Sequence, residues 1–164
     1  TARPEQGPPR LEALRAEMAR EGLDGFLVPR ADVHQGEYVA PRDARLAWLT
    51  GFTGSAGFCA VLREVAGVFV DGRYRTQVKG QVAVDFTPVP WPDVQLADCL
   101  KEKLPEGGVV GYDPWLHTIA QVEGWSGAFS DSPVQMRQCG NLIIDCRNRI
   151  QATHVTAIVI HDRE

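Results

Sequence analysis

The stretch from Trp48 to Tyr74 constrains the fold of this chain more than any other part of the sequence. It opens with a loop rich in glycine, serine and threonine at residues 51–57, and two apolar runs follow, Phe58–Leu62 and Val65–Val70. Short runs rich in Val and Phe between glycine breaks are typical of buried β-strands. This stretch therefore predicts two neighbouring strands inside a folded core.

The residues that border these strands predict a turn and a helix cap. Arg63 and Glu64 form a connection short enough for a β-hairpin, although neither is a favoured turn residue. After the second strand, the Asp71 carboxylate is placed to accept hydrogen bonds from the first free N–H groups of a helix that begins at Gly72 or Arg73. A loop, a hairpin and a capped helix are thus expected in that order.

The glycine-rich loop 51–57 has a functional and a structural interpretation. Backbone N–H groups of glycine-rich loops can hold a phosphate group. This loop, however, carries neither a GK[ST] ending nor the G-x-G-x-x-G spacing, and it precedes a strand instead of a helix. We therefore expect tight turns that require positive backbone φ angles.

Composition excludes several classes of protein. The chain has 164 residues, a net charge of −4 and an isoelectric point near 5.6, without a basic cluster that could attract nucleic acid. It has no apolar run of the roughly 20 residues that a membrane helix needs, and its N-terminus lacks the apolar core of a signal peptide. The four cysteines show no CxxC spacing, so we expect reduced thiols and a cytoplasmic location.

Helical and strand patterns alternate along the rest of the chain. Apolar residues spaced three to five apart predict a helix from Arg10 that ends at Gly22. The further predicted elements are a strand at Gly25–Pro29, a helix at Arg42–Leu49, an edge strand at Asp85–Trp91, a helix from Pro92, a strand at Val109–Tyr112 and a helix near Leu116–Trp125. This alternation predicts an α/β fold, a mixed β-sheet with helices on both faces.

A polar segment between the first strand and the second helix gathers side chains that could bind a metal or move a proton. Asp32, His34, Glu37 and Tyr38 lie within seven residues, and His34 and Glu37 have a spacing that would place them on one helix face. A metal site needs at least three ligands, and the sequence offers no companion pair. A polar cluster satisfied by hydrogen bonds, with Asp32 as a cap, is the favoured interpretation.

Four motifs in a fixed order identify a resemblance to a known family. They are ADVHQGEYVAP at residues 31–41, LTGFTGSAG at 49–57, VDGRY at 70–74 and VGYDP at 110–114. Together they resemble the N-terminal domain of aminopeptidase P, which is shared with the creatinase and prolidase group. The first motif is most similar to the longer, three-domain form of Xaa-Pro aminopeptidase. The resemblance covers about residues 11–125 and implies the fold of that domain.

The resemblance implies that catalysis belongs to a different domain. In this family a C-terminal pita-bread domain holds two divalent metals, typically manganese, which activate a hydroxide against an Xaa-Pro bond. We expect that domain to lie outside this chain, which would then have no catalytic residue and no metal site of its own. The parent protein would be a dimetal aminopeptidase acting on peptides with proline second.

The resemblance also implies a role for the N-terminal domain itself. In the family it mediates subunit contacts, as in a homodimer, and helps to wall the substrate entrance. By motif position, the candidates for such a surface are His34, Glu37, Tyr38, Arg73 and Tyr74. For Tyr74, packing in the core on its helix face is the competing interpretation.

The resemblance divides the chain into three parts. Residues 1–9 are expected to be a flexible N-terminus, residues 10–140 the α/β domain, and residues 141–164 a linker or an atypical tail. Residues 141–145 (NLIID) loosely resemble the family's NLVD motif before its interdomain linker, but the Trp and Pro of that linker are not found here.

Two other functions compete with that of an N-terminal peptidase domain. A free-standing module of the same fold could hold a small ligand or a partner in its own cleft, with His34 and Glu37 at the site. A hydrolase using His34 as base and Ser55 as nucleophile is disfavoured, because the G-x-S-x-G motif of a nucleophile elbow is absent.

Overall fold

The computed structural model describes residues 3–31, 39–40 and 43–161 of the chain, with side chains described up to residue 153. Its helices are α1 (Gly7–Glu21), α2 (Arg45–Thr50), α3 (Arg75–Gln81), α4 (Leu96–Lys103), α5 (Ile119–Ala128) and α6 (Leu142–His161). Its strands are β1 (Gly25–Pro29), β2 (Phe58–Leu62), β3 (Ala66–Val70), β4 (Thr87–Pro90), β5 (Gly108–Tyr112) and β6 (Val134–Gln138). Short 3₁₀ turns at Pro4–Gln6, Gly72–Tyr74 and Pro114–Leu116 precede α1, α3 and α5.

The strands form one mixed sheet in the order β4-β3-β2-β1-β5-β6. β2 is antiparallel to both of its neighbours, β1 and β3, whereas the β3–β4, β1–β5 and β5–β6 pairs are parallel. The carboxyl ends of the other five strands and the start of β2 consequently lie at one edge of the sheet. The predicted β2–β3 hairpin, the edge position of β4 and the mixed sheet are confirmed.

Two apolar clusters, one on each face, form the core. Alternation along β1 separates them, because Phe26 and Val28 belong to one cluster while Leu27 belongs to the other. Helices α1, α2, α3 and α6 contribute to the first cluster and α4 to the second, against which Val122 and Trp125 of α5 also pack. The predicted cover of helices on both faces is confirmed.

Glycine and aspartate set the ends of three helices as predicted. Gly22 and Gly51 adopt left-handed backbone angles (φ of 68° and 85°) and end α1 and α2. The Asp71 carboxylate accepts a hydrogen bond from the Arg73 backbone N–H at 2.9 Å, so it caps the 3₁₀ turn that leads into α3.

Several predicted boundaries differ from the structure. The helix expected from Pro92 begins at Leu96, and the helix expected near Leu116 begins at Ile119, where Thr118 and Gln121 form a capping box. Strand β6 and helix α6 have no counterpart in the predicted elements. Helix α6 lies within residues 141–164, for which a linker or atypical tail was expected, and it buries Leu142, Ile143 and Cys146. The domain boundary at residue 140 stays a prediction.

Candidate functional site

The structure describes two of the five predicted surface residues. His34, Glu37 and Tyr38 lie outside the described residues, as does Asp32, so their roles stay predictions. Arg73 and Tyr74 are described, and both follow the carboxyl end of β3 in the 3₁₀ turn Gly72–Tyr74.

Tyr74 joins the core to the glycine-rich loop. Its ring is half-buried and meets the Phe52 ring edge-on, with centroids 5.6 Å apart and planes at 80°. Its hydroxyl is hydrogen-bonded to the Ser55 hydroxyl, and this bond is the main reason why the pKa of Tyr74 is lowered. The expected packing of Tyr74 against the core is confirmed, while its hydroxyl lies at the surface of the loop.

The Arg73 guanidinium is held close to this tyrosine. Its Nη2 donates to Asp71 Oδ2 at 2.8 Å, and its carbon lies 5.1 Å from the centre of the Tyr74 ring. Hydrogen bonding from Arg73 lowers the pKa of Asp71. Arg73 remains mostly exposed, so it presents a fixed positive charge at the carboxyl edge of the sheet.

The glycine-rich loop is a folded turn, as expected. Gly51 and Gly57 have positive φ angles of 85° and 153°. A Cβ added at Gly54 would lie 2.2 Å from the Phe52 ring, so the loop also depends on a close approach of its backbone to that ring. The side chain of Gln81 completes the loop by accepting from the Thr53 N–H at 3.0 Å.

A cavity of about 470 Å³ opens at the same edge of the sheet. Its floor includes Leu27 and Pro29 of β1, and its walls come from the first turn of α4 and from one side of α5. The aromatic and charged or polar side chains that line it are Arg30, Phe58, Trp91, Gln95, His117, Gln121 and Trp125. They come from separate parts of the chain and carry no shared motif, so no pattern in the sequence indicated this cavity.

His117 lies in the wall of this cavity against two aromatic rings that also contact each other. Its imidazole meets the rings of Tyr112 and Trp125 edge-on, at centroid distances of 5.8 Å and 5.0 Å. Its Nε2 atom is buried and has no hydrogen-bond partner among the described residues. Burial lowers the pKa of His117, against opposing contributions from the Asp113 charge and a Gln121 hydrogen bond. Burial therefore favours the neutral imidazole.

The described residues offer no group of three or more His, Cys, Asp or Glu side chains that could hold a metal ion. All four cysteines are free, and Cys59 and Cys146 are buried. Within the described part of the chain, no helix has the length and apolar character needed to cross a membrane.

Comparison with known proteins identifies relatives of this fold. Residues 10–149 match the creatinase/prolidase N-terminal domain family. Human Xaa-Pro aminopeptidase 2 is 36% identical over 144 residues, a match that covers 82% of this chain but 20% of the human protein. The chain therefore spans about one fifth of that curated relative.

Solved structures support the same relationship. A cytosolic X-prolyl aminopeptidase from Caenorhabditis elegans, described as having a di-nuclear active site, superposes with a TM-score of 0.76 at 28% identity, over 84% of this chain and 25% of that chain. The N-terminal domain of the cytoplasmic peptidase PepQ from Mycobacterium tuberculosis shares the fold, with a TM-score of 0.67 at 24% identity over 84% of this chain and 98% of that domain.

Proposed function

Because the chain belongs to the creatinase/prolidase N-terminal domain family, we propose that it is the non-catalytic N-terminal domain of a metal-dependent Xaa-Pro aminopeptidase. The observation that carries this proposal is the extent of the match, which covers most of this chain but one fifth of human Xaa-Pro aminopeptidase 2. The full-length enzyme would remove the N-terminal residue from peptides with proline second. It would act in the cytoplasm as a homodimer.

The metals of such an enzyme would belong to the part of the protein outside this chain. The described residues do not fit a dinuclear centre, because they include no cluster of His, Cys, Asp or Glu that could bind a metal ion. Two divalent metals, which we propose to be manganese, would be held by the catalytic domain. No step of the reaction is assigned to a described residue of this chain.

The contribution of this domain would be to assemble subunits and to shape the substrate entrance. Arg73 and Tyr74 support this role, since one presents a fixed charge and the other a hydroxyl at the carboxyl edge of the sheet. We place His34, Glu37 and Tyr38 on the same functional surface by their motif positions. The ring of Tyr74 packs against Phe52, so its hydroxyl would be the part of this residue that contributes to the surface.

The first test compares this chain with the full-length protein. The chain alone, dialysed after incubation with Mn²⁺, is expected to retain no stoichiometric metal and to leave an Xaa-Pro peptide intact, whereas the full-length protein hydrolyses that peptide. Hydrolysis by the chain alone, with retained metal, would contradict the proposal.

A second test addresses assembly and the entrance in the full-length protein. Arg73→Ala is expected to weaken dimerisation in analytical ultracentrifugation or to raise KM with kcat unchanged. The matched control is Arg75→Ala, which removes another exposed arginine of the same segment, paired with Asp93 at 2.8 Å. If Arg73→Ala and Arg75→Ala have the same effect on dimerisation and on KM, Arg73 does not belong to the proposed surface.

A free-standing binding module is the second candidate function, and the 470 Å³ cavity is the observation that favours it. That function predicts saturable binding that is lost on His34→Ala or Glu37→Ala without a change in thermal stability. A complete coding sequence in which no catalytic domain accompanies this chain would favour it over the peptidase domain.

A further inference from the structure

The two edges of the β-sheet differ in whether their backbone can pair with another strand. β4 forms one edge and β6 the other. The N–H and C=O groups of successive residues in a strand point to opposite sides, so every second residue of an edge strand faces away from the sheet. A row of free N–H and C=O groups at such an edge can accept a further strand.

The edge at β4 is closed to such pairing. The Trp91 N–H, directly after β4, donates to the Val70 carbonyl of β3 at 2.9 Å, so the residues of β4 that face outward are Pro88 and Pro90. Neither has an N–H group to donate. The Pro90 carbonyl, moreover, already accepts from the Val94 N–H at 2.8 Å. The described residues of β4 therefore offer no outward N–H donor.

The edge at β6 is open to pairing. The Cys139 N–H, directly after β6, donates to a carbonyl oxygen of β5 at 3.0 Å, so Val134, Met136 and Gln138 face outward. The Ser132 hydroxyl accepts from the Val134 N–H at 3.2 Å. The outward N–H groups of Met136 and Gln138 meet no other described strand, because β6 is the last strand of the sheet.

The side chains of β6 do not protect this edge. Natural edge strands are commonly protected by proline or by charged side chains. β6 contains no proline, and Arg137 is its one charged residue. The Arg137 guanidinium donates to the Glu21 carbonyl at the end of α1. Since α1 leads into β1, which lies inside β5 in the sheet, the guanidinium is directed away from the outer edge.

We propose that the β6 edge pairs with the β6 edge of a second copy of this chain, antiparallel and around a two-fold axis at Met136. Met136 then exchanges N–H···O=C bonds with its own counterpart, and the Gln138 N–H donates to the Val134 carbonyl of the other copy. The Val134 N–H, which donates to Ser132, is not needed. The two sheets join into one, and the closed edge at β4 ends it on both sides.

Charge and apolar matching favour a second copy over an unrelated strand. In this register Gln135 of one copy lies opposite Arg137 of the other, so no like charges meet. On the other face, Val134 is buried in the second apolar cluster and Met136 packs against it. Met136 lies beside its own counterpart there, which extends the cluster across both copies. A two-fold interface needs such a self-complementary surface.

The pairing is expected to be weak in the isolated chain. β6 has five residues, and an interface built on one short strand falls below the roughly 1,200 Å² of stable complexes. The pairing provides a surface for the proposed role in subunit assembly, on which it rests for its meaning in a full-length enzyme. It leaves the Arg73–Tyr74 surface, after β3, free for the substrate entrance.

The experiment measures association of the 164-residue chain by sedimentation equilibrium at concentrations up to about 1 mM, where we expect a monomer–dimer equilibrium with a Kd below about 0.5 mM. Gln138→Pro removes an outward N–H and should weaken dimerisation at least about fivefold, whereas Gln138→Ala keeps that N–H and should change the Kd less than about twofold. β4 carries prolines at its outward positions, so Gln138→Pro is expected to fold, which circular dichroism verifies.

A second pair of variants tests the register at an exposed side chain. Gln135→Glu places a carboxylate opposite Arg137 of the other copy and should tighten the dimer at least about twofold, whereas Gln135→Lys should weaken it as much. Overall charge predicts the opposite order. The chain has a net charge of −4, which glutamate makes more negative and lysine less negative.

Every contrary result overturns the proposal. A chain that stays monomeric up to about 1 mM does not pair with itself, and the β6 edge is then left to a strand of another domain or protein. A dimer that Gln138→Pro weakens no more than Gln138→Ala forms at another surface. Oligomers larger than a dimer, or a tighter dimer in Gln135→Lys than in Gln135→Glu, exclude the two-fold register. Peptide hydrolysis is not measured, so failure here is distinct from failure of the proposed peptidase domain.

Discussion

The carboxylate of Glu17 in α1, with only 5% of its side chain exposed, is ion-paired with Arg149 of α6. The same carboxylate also accepts from Arg20 at 2.8 Å, one turn along α1. A buried carboxylate is costly unless charged donors surround it. Helix α6 thus supplies one of the two cations that, among the described residues, stabilise this buried charge in α1.

Arg149→Ala is therefore expected to lower the free energy of unfolding by about 1–2 kcal/mol, because Glu17 then keeps Arg20 as its one charged partner among the described residues. Arg149→Lys should lower it less, since a cation remains within reach of the carboxylate. Urea unfolding followed by circular dichroism measures both. The control is Arg75→Ala, whose partner Asp93 is exposed, with an expected change within about 0.5 kcal/mol. A loss in Arg149→Ala no larger than in this control would contradict the prediction.

An element can be predicted from the sequence when residues close to one another in the chain determine its conformation. β1, β2, β3 and β5 are predictable because each is a short apolar run bounded by turn residues. β6 buries only Val134, and its strand conformation depends on parallel pairing with β5, which connects residues distant in sequence. Local sequence carries no record of that pairing.

Helix α6 was predictable in principle, unlike β6. Leu142, Ile143, Cys146 and Ile150 recur at helical spacing, and Asn141 accepts a hydrogen bond from the Ile143 N–H at 3.1 Å. The family resemblance indicated a linker or an atypical tail there instead. At the candidate site, the sequence indicated Arg73 and Tyr74 through their motif. The cavity is lined by residues of β1, β2, α4, α5 and the 3₁₀ turn Pro114–Leu116, together with connecting loops, which only the folded sheet brings together.

Gly51→Ala should destabilise the fold strongly. Gly51 has a φ of 85°, and a Cβ there would lie 2.5 Å from the backbone carbonyl oxygen of Gln81. Backbone strain and this clash together should cost about 2–4 kcal/mol. The matched control is Gly80→Ala in α3, where the added Cβ meets nothing within 4 Å and helix propensity predicts a gain of about 0.5–1 kcal/mol. Equal unfolding midpoints in urea for the two variants would disprove the requirement for glycine at position 51.

Two cysteines should be unreactive in the folded chain. Burial raises the pKa of the Cys146 thiol to about 12 and also raises the pKa of Cys59. Because the thiolate is the reactive form, neither should react with Ellman's reagent until the chain unfolds. At pH 8 we expect at most two of the four thiols to react in buffer and all four in urea. Cys99→Ser, at a half-buried position, should lower the count by one both in buffer and in urea. Rapid reaction of Cys59 in buffer would contradict its burial.

His117 should make the fold less stable in mild acid. Burial holds its pKa below the ordinary value of 6.5, so the unfolded chain binds a proton at a higher pH than the folded chain does. The free energy of unfolding contributed by this group therefore falls as the pH drops from about 6.5 toward the lower pKa of the folded state. Well above pH 7 the imidazole is neutral in both the folded and the unfolded chain, so it should not change the free energy of unfolding there.

Replacement of the imidazole should remove this dependence. His117→Gln and His117→Phe are each expected to lose less stability than the unaltered chain between pH 7 and pH 5, as measured by urea unfolding at a series of pH values. The phenylalanine variant keeps a ring in contact with Tyr112 and Trp125, so it separates the loss of a titrating group from the loss of packing. The charge of Asp113 favours the imidazolium, and Asp113→Asn should accordingly steepen the acid loss. Parallel stability curves for the unaltered chain and both His117 variants would show that this histidine titrates alike in the folded and unfolded states.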